Sequence, residues 1–486
     1  MITLILLSGL IWLLILFHQI AHRGFLVLII WLLIAPVASN FVSSPSRNPF
    51  FNLEKAQKLK EDVQSGHRAA FLRRENNPIR INQLFEPTRT LLAGFVISFI
   101  LQTVLKKKRL GPFDSTEVWM GIFSFILIVS VFLHSSRLHY SMRVASDAFI
   151  APFFAYFITR RLVTNEARFR QLSRVMVYAG FYFMIIAVIE KLAHQSLLHP
   201  LSGPFQTASP FFIVAMVIFF SVLLETIHHR RYNWIQESPA FGIRELVLVS
   251  IPIIIFFTFS RGNWLGFLAG IWVFVFMGRR KISFLQKLGT IGLALITIPL
   301  VIVSLAVFIP AELVQTQISN TYTIYGRIAA WLIALEEGVE HPIIGIGLNN
   351  LRYVLHETRL SFNSVRNFGS VHNSFLAIFA EQGFVGLLAY LALVITIIRK
   401  SLILYRADTD SPAQWRGIAV MAVITAYHTP ALFASTLHDH NLLAHLYVYV
   451  FIGAIAGLCS QRQSIPHHSV PLKQPQWINR EAPVHV

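Results

Sequence analysis

The sequence predicts an all-α polytopic membrane protein with about 12–13 transmembrane helices and one large periplasmic loop that carries short helices. Two observations support this fold class. The first is composition, since the 486 residues are 55% hydrophobic and only 13% charged, with a mean hydropathy of +0.60. A soluble domain carries roughly twice that charged fraction. The second is the recurrence of apolar runs near about 20 residues, the length that crosses a bilayer as a helix.

About thirteen apolar windows lie along the chain, and each predicts a membrane-spanning helix. The two windows before residue 43 and the short window at 88–105 are the weakest of them. The windows are 2–17, 24–42, 88–105, 117–136, 145–162, 171–193, 208–227, 243–259, 263–278, 287–309, 372–398, 413–434 and 441–459.

Basic residues between these windows predict the orientation of the chain. Lys and Arg concentrate in cytoplasmic loops, which accounts for much of the net charge of +18. Residues 43–90 are also basic, yet the alternation of sides from one span to the next places them outside. Either a span is miscounted or this loop departs from the charge rule. The cytoplasmic loops are then 106–109, 160–174, 228–244, 279–281 and 399–416, and the periplasmic turns are 137–144, 194–207, 260–262 and 435–440, together with the long loop 310–371.

The single cysteine and the arrangement of charge exclude several functional classes. Cys459 alone can form neither an internal disulfide nor a thiolate metal cage. The basic residues do not alternate with a stacking platform, so we expect no nucleic-acid partner.

The apolar windows and the loops between them divide the chain into five parts. These are N-terminal spans with a basic loop (1–90), a transmembrane bundle (91–309), a periplasmic cap loop (310–371), C-terminal transmembrane helices (372–459) and a Pro- and Gln-rich disordered cytoplasmic tail (460–486).

The long loop 310–371 has the composition of a folded cap rather than of a disordered linker. Residues 325–340 predict an amphipathic helix, because Ile328, Trp331, Leu332 and Leu335 share one face at helical spacing. We expect Thr323 to cap this helix. A glycine-containing turn at 341–347 and a second short helix at 349–356 follow, so the loop is expected to lie on the outer membrane surface.

Three outer segments carry groups suited to chemistry, and each also has a structural interpretation. Arg261 stands at a tight turn between two apolar spans, where an arginine can instead extend to the lipid head groups. Arg327, at the start of the predicted cap helix, could be a solvated surface residue. His372 precedes an apolar span, where a histidine is more often structural than catalytic. Their shared location on one face of the membrane favours a functional interpretation of all three.

These residue types fit one reaction. Guanidinium groups bind phosphate oxygens in a bidentate fashion and stay charged, so two arginines suit a pyrophosphate. A histidine of near-neutral pKa can take a proton from an attacking hydroxyl. Since pyrophosphate is a good leaving group, the predicted reaction needs no metal or other cofactor. Glu381, nine residues after His372, is half a turn out of phase on a straight helix, which favours a packing or hydrogen-bonding role for it.

Over residues 170–400 the sequence resembles the bacterial O-antigen ligase family, which includes O-oligosaccharyltransferases and polysaccharide polymerases. The resemblance rests on Ser260-Arg261-Gly262, on Gly326-Arg327 with Trp331 and the turn 342–347, and on His372-Asn373-Ser374 with Glu381, Gly383 and Gly386. It implies a fold like that of C-type membrane glycosyltransferases. By position it implies that Arg261 and Arg327 bind pyrophosphate and that His372 is catalytic, with Asn373, Glu381 and Trp331 as supporting residues.

The resemblance also implies a location, a donor and a set of acceptors. The chain is then a multi-pass protein of the bacterial inner membrane, in contact with membrane lipid, and its active site faces the periplasm. The donor is a glycan linked to undecaprenyl pyrophosphate, transferred with inversion and without a metal or nucleotide. The acceptor is lipid A core for a ligase, a growing glycan for an exopolysaccharide polymerase, or protein for an oligosaccharyltransferase, and the sequence leaves these open.

Two further classes remain as alternatives. A small-solute transporter of the bicarbonate type is expected to show repeated halves and broken helices that meet at mid-membrane, and the sequence indicates neither. A non-catalytic membrane scaffold predicts that alanine at Arg261, Arg327 and His372 is silent. The candidate charges gather at the outer edge of the predicted spans, which favours an enzyme.

Overall fold

A computed structural model describes the architecture of most of the predicted bundle and of the cap. It describes residues 23–33, 91–98, 112–135, 138–194, 208–232, 242–258, 260–278, 322–357, 370–406, 411–438 and 442–464. Several predictions lie outside these residues, namely the spans 2–17 and 287–309, the basic loop 43–90, the loops 106–109 and 279–281, nearly all of the turn 194–207, and the tail from 465 onward. The α-helices are α1 (Arg23–Leu33), α2 (91–98), α3 (Ser115–His134), α4 (Leu138–Val144), α5 (Ala151–Leu162), α6 (Glu166–His194), α7 (Ala208–Tyr232), α8 (Ile243–Phe256), α9 (Arg261–Gly278), α10 (Tyr322–Glu340), α11 (Leu351–Glu357), α12 (Ser374–Arg406), α13 (Pro412–Ala431) and α14 (Leu442–Ser464).

The fold class predicted from composition is confirmed. Within the described residues all regular structure is helical, with a π-helical turn at Ala145–Ile150 joining α4 to α5 and a 3-10 turn at Thr436–His438. Five of the described helices are long and apolar enough to cross a membrane: α3, α6, α7, α12 and α14. The chain is therefore a multi-pass membrane protein, while the full number of spans remains a prediction.

The burial of the helices matches a bundle surrounded by lipid. Helices α7 and α14 are central, since 89% of the most apolar window of each is buried inside the protein. Helix α12 lies at the periphery and exposes large apolar side chains such as Leu388 and Ile395. Apolar side chains that are buried in no protein core are stable when they face hydrocarbon. The exposed faces of α3 and α12 thus mark the lipid-facing surface.

One end of the bundle, here called the charged end, holds a network of ion pairs. Asp114 caps α3 and forms a capping box with Glu117. The same two carboxylates accept hydrogen bonds or ion pairs from Arg160 and Lys400, with the Lys400 Nζ 2.8 Å from Asp114 Oδ2. Nearby in sequence, Arg416 pairs with Glu166 at 2.6 Å. Two of the loops that the charge pattern assigned to one side of the membrane, 160–174 and 399–416, therefore carry members of this network.

The opposite end, here called the cap end, brings the cap against the turn that follows α3, which was predicted to lie on the same side of the membrane. The Asn350 side chain donates a 2.6 Å hydrogen bond to the His134 carbonyl at the end of α3. Arg352 donates to the Tyr140 hydroxyl at 2.9 Å. Helices α10 and α11 form the cap, and they share a small apolar core with the start of α12 that is separate from the main core. Its buried members are Ala330, Ala334, Leu351, Leu355, Val371, Ala377 and Ala380.

The predicted amphipathic helix of the cap is confirmed as α10, with two differences. The helix begins at Tyr322, so Thr323 lies inside it and the predicted cap at Thr323 is wrong. Ile328, Leu332 and Leu335 do share a face, but that face is exposed and the small residues of the opposite side pack inward. Small side chains allow the close approach to α12, and an exposed apolar stripe suits a helix at a membrane surface.

Helix α12 is not straight, which corrects the expectation that the chain has no broken helix. Gly383 adopts φ 66° and ψ −168°, and the helix breaks there into a short arm, 374–382, and a long arm, 384–406. The break leaves backbone groups without partners inside the helix, and these groups form hydrogen bonds to the turn at 341–347, here called the cap turn. Ile346 N–H donates to Ala380 O at 2.9 Å, and Phe384 N–H donates to Pro342 O at 2.7 Å. The break in α12 therefore attaches the cap to the bundle through backbone hydrogen bonds.

Candidate active site

His372 lies on the short connection between the cap and the short arm of α12. Its backbone is in the left-handed region, with φ 50°, and its N–H donates to Ser370 Oγ at 3.3 Å. The Ser370 hydroxyl in turn hydrogen-bonds Ser435 after α13. The side chain is half-buried. Burial and the nearby Arg327 guanidinium lower the pKa of the His372 imidazole, which keeps it neutral near pH 7.

Asn373, predicted as a supporting residue, is the cap of α12. Its Oδ1 accepts hydrogen bonds from the N–H groups of Phe375 at 3.0 Å and Leu376 at 3.1 Å. These are donors that the first turn of a helix leaves without an intrahelical partner. The next residue, Ser374, donates to Ala434 O and accepts from Leu437 N–H, both at 3.1 Å. The start of α12 is thereby fixed in direction just after His372.

Arg327 and Trp331 come from the first turns of α10. Arg327 is half-buried, and its positive charge is close enough to His372 to help lower the pKa of the imidazole. One turn later, Trp331 Nε1 donates a 2.9 Å hydrogen bond to the carbonyl of Val371, the residue before His372. The structure therefore brings together Arg327, Trp331 and His372, although 40 residues separate the last two along the chain.

Arg261 is the first residue of α9, and its side chain is exposed at the cap end. The glycines of α9 allow it to pack closely on α13, since a Cβ built on Gly266 would lie 2.6 Å from Pro430 Cγ. Residues just beyond α13 bind Ser374, as described above. Arg261 thus lies at the same end of the bundle as His372 and is linked to it through α13, while the helix of Arg327 is joined to the His372 segment by the bond of Trp331 to Val371.

Glu381 is buried in the short arm of α12, 4% exposed, and takes part in the contact between α12 and the cap. Its carboxyl group accepts hydrogen bonds from the backbone N–H groups of Asn349 and Leu351 and contacts the Gln382 side chain. The backbone carbonyl of Glu381 accepts from Gly347 N–H at 2.9 Å. This arrangement holds the start of α11 against the short arm, so the role suggested by the structure is to place the cap.

Among the described residues, one surface group could hold a cation. Glu337, Glu340 and His341 lie at the end of α10, and each offers a ligand atom within 4.8 Å of the others. Two carboxylates and an imidazole are ligands that divalent cations accept. The three side chains are on the surface, away from the start of α10 where Arg327 lies, and the reaction proposed below assigns them no step.

Sequence reasoning missed the polar side chains that lie beneath His372. Tyr390 and His428 form a hydrogen bond of 3.0 Å between α12 and α13, and Phe375 packs against both rings. The signal was present, because a histidine or tyrosine within an apolar span is costly unless it has a partner. Nothing in the sequence alone pairs these two positions, which are 38 residues apart.

Comparison with known protein families now adds to this geometry. Residues 246–391 match the family model described as O-antigen ligase. This segment is an O-antigen ligase family domain. It runs from α8 into the long arm of α12 and contains Arg261, Arg327, His372 and Glu381. No curated protein matches the chain.

The O-antigen ligase domain confirms the resemblance seen in the sequence. It coincides with the part of the chain that carries all three segments singled out for chemistry. The match supports, in general terms, a membrane glycosyltransferase activity of the O-antigen ligase and polymerase type.

Proposed function

We propose that this membrane glycosyltransferase takes a glycan from undecaprenyl pyrophosphate and transfers it to an acceptor hydroxyl at the periplasmic face of the inner membrane. The observation that carries the proposal is the hydrogen bond from Trp331 Nε1 to the carbonyl oxygen of Val371, which holds the helix of Arg327 against the residue before His372. This bond keeps the Arg327 guanidinium near the His372 imidazole, whose pKa it helps to lower, where the cap meets the start of α12. Such a pair can bind a diphosphate with one member and accept a proton with the other.

The proposed reaction is a single displacement at the anomeric carbon. His372 accepts or orients the proton of the acceptor hydroxyl, whose oxygen forms a bond to C1 of the donor sugar. The bond between C1 and the phosphate oxygen breaks, and its electron pair leaves with undecaprenyl pyrophosphate. Because the attack comes from the face opposite the leaving group, the anomeric configuration inverts.

Arg261 and Arg327 are proposed to stabilise the leaving diphosphate as its negative charge develops. Preorganised cations act most strongly where water is excluded. Arg327 is half-buried beside His372, and Arg261 lies exposed at the helix end on the same side of the bundle. We infer that the diphosphate lies between them, with Arg327 nearest to the reacting bond. Membrane lipid surrounds the site, and the carrier is itself a lipid.

The test is transfer by the purified protein in defined vesicles that contain an undecaprenyl pyrophosphate-linked glycan. Three acceptors are supplied separately: lipid A core, a second carrier-linked glycan, and protein. Appearance of the glycan on one of them, with release of undecaprenyl pyrophosphate, supports the proposal and distinguishes a ligase from a polymerase or an oligosaccharyltransferase. Uptake of bicarbonate by the same vesicles without any transfer would favour the transporter alternative, which the family match does not support.

A further inference from the structure

A buried hydrogen bond joins the helix that follows His372 to the helix that packs on the Arg261 helix. The Tyr390 hydroxyl and His428 Nε2 are 3.0 Å apart, and His428 Nδ1 lies 2.8 Å from the carbonyl oxygen of Ile424. A carbonyl oxygen can only accept, so Nδ1 carries the proton in the neutral ring. Nε2 is then an acceptor, and the Tyr390 hydroxyl donates to it. The tautomer and the direction of this bond are therefore fixed by the geometry.

Further contacts surround this pair. Tyr449 of α14 lies close enough to the Tyr390 hydroxyl to interact with it electrostatically. A second tyrosine–histidine pair joins α13 to α14, where the Tyr427 hydroxyl and His445 Nδ1 are 2.6 Å apart. Buried polar groups of this kind stabilise one arrangement of the helices over others, because any shift leaves a donor or acceptor without its partner.

The position of the Tyr390–His428 bond relates it to the active site. Phe375, three residues after His372, packs on both rings with centroid distances of 6.3 Å to Tyr390 and 6.2 Å to His428. The break at Gly383 permits this contact, since it allows the short arm of α12 to lie beside the long arm that carries Tyr390. The bond is thus located directly behind the segment that holds His372.

Helix α13, which carries His428, also connects the Tyr390–His428 bond to the helix of Arg261. His428 lies two residues before Pro430, and Pro430 is in close contact with Gly266 of α9, whose first residue is Arg261. A change in the position of α13 relative to α12 would therefore change the separation of Arg261 and His372. Displacement of a catalytic group by about 1 Å is enough to reduce a reaction rate by roughly a hundredfold.

We propose that Tyr390 and His428 are positioning residues for the transfer reaction, and that their hydrogen bond fixes His372 relative to Arg261. The inference rests on the proposed function, and it adds two residues that act through His372 rather than on the substrate. If the bond served stability alone, its removal would lower the melting temperature but leave the kcat of the folded protein unchanged. The inference can therefore be tested by measuring both quantities.

The first experiment compares Tyr390→Phe with Tyr156→Phe in the vesicle transfer assay. Both changes remove one hydroxyl from a fully buried tyrosine, but the Tyr156 hydroxyl bonds Asp114 at the charged end, at 2.9 Å. We expect Tyr390→Phe to lower kcat about tenfold with little change in KM for the donor, and Tyr156→Phe to leave kcat unchanged. Equal kcat values for two variants with equal melting temperatures would overturn the inference.

The second experiment asks whether the two residues act through their mutual bond. His428→Gln supplies an amide oxygen that can accept from Tyr390, whereas His428→Leu cannot. We expect His428→Gln to retain more kcat than His428→Leu, and the double variant Tyr390→Phe with His428→Leu to be no slower than His428→Leu alone, since coupled residues are not additive. If the fold-loss in kcat of the double variant equalled the product of the losses of the two single variants, the two residues would act independently and not through their mutual bond.

A third measurement reports geometry without any activity. Ser370 and Ser435 are hydrogen-bonded across the start of α12 and the end of α13, so Ser370→Cys with Ser435→Cys, in a Cys459→Ser background, can form a disulfide. Adding Tyr390→Phe should slow its formation, while adding Tyr156→Phe should not. A wild-type protein that transfers no glycan would contradict the proposed function alone, whereas an unchanged cross-linking rate would contradict the positioning role alone.

Discussion

The indole Nε1 of Trp331 donates a 2.9 Å hydrogen bond to the carbonyl oxygen of Val371, the residue that precedes His372. This bond joins α10, which carries Arg327, to the segment that carries the imidazole. Its loss should allow the two groups to separate. We therefore expect Trp331→Phe to reduce glycan transfer by about tenfold and to lower stability by about 1 kcal/mol. Trp272→Phe is the matched control, because Trp272 is exposed on the lipid-facing side of α9 and should tolerate the change.

Replacement of His372 should abolish transfer while the protein remains folded and inserted. General-base catalysis contributes about 10²–10⁴-fold to a rate, so His372→Asn should lose at least about a hundredfold in kcat. Asparagine is the informative choice, because it tolerates the left-handed backbone that His372 adopts at φ 50°. The exposed His139, at the same end of the bundle, serves as a control when changed to alanine. Full activity of His372→Asn would remove the imidazole from the mechanism.

Arg327→Lys should lose most of the activity even though it keeps the positive charge. Lysine presents a compact ammonium group and cannot form the two parallel hydrogen bonds that a guanidinium gives to a phosphate. We expect kcat/KM for the lipid-linked donor to fall by about tenfold or more. The measurement is initial-rate kinetics over a range of donor concentrations, and a variant with wild-type kcat/KM would show that charge alone is sufficient.

The Arg327 guanidinium should also control the titration of His372. Burial and Arg327 both lower the pKa of the imidazole, so Arg327→Gln should raise it. The pKa can be followed as the pH dependence of diethyl pyrocarbonate modification at His372, measured by mass spectrometry.

The lowered pKa of His372 also predicts an effect of pH on stability. Because the folded-state pKa lies below the unfolded value of about 6.5, protonation favours unfolding, and stability is lost as the pH falls below that value. Arg327→Gln should weaken this acid destabilisation.

The break in α12 should depend on glycine at position 383. An alanine there would have to adopt φ 66°, and its Cβ would lie 2.3 Å from the Ile343 carbonyl oxygen. A positive φ combined with ψ near 180° is essentially restricted to glycine and costs a residue with a Cβ roughly 1–3 kcal/mol, and the clash with the cap adds to it. We expect Gly383→Ala to lower the melting temperature and to release the cap, seen as faster proteolysis within residues 341–347. Gly121→Ala, whose Cβ would meet nothing within 4 Å, should instead be neutral or stabilising.

The broken helix bears on the transporter alternative as well. Broken helices in transporters present their free backbone groups to the solute. In this protein the groups around Gly383 bond to the cap turn, with four backbone hydrogen bonds between residues 342–347 and 380–385. The break is therefore part of how the cap is attached. This reading agrees with the O-antigen ligase domain, which includes both the cap and the break.

The sequence by itself determined the class of protein and the identity of the candidate groups. Apolar runs of membrane length require helices, because a backbone in hydrocarbon must satisfy its own hydrogen bonds. The helical period of residues 325–340 was enough to predict α10, and the spacing of local motifs was enough to select Arg261, Arg327 and His372. These properties depend on residues that are close together along the chain.

The tertiary structure alone decided which groups meet and how they are held. Arg327 and His372 are 45 positions apart, and Tyr390 and His428 are 38 apart, so no local pattern pairs them. The positive φ of Gly383 is stable only because the cap turn supplies partners for the freed backbone. Likewise, α10 turns its alanines inward because a close approach to α12 leaves no room for leucine. Long-range packing and hydrogen bonding select among conformations that the local sequence permits equally.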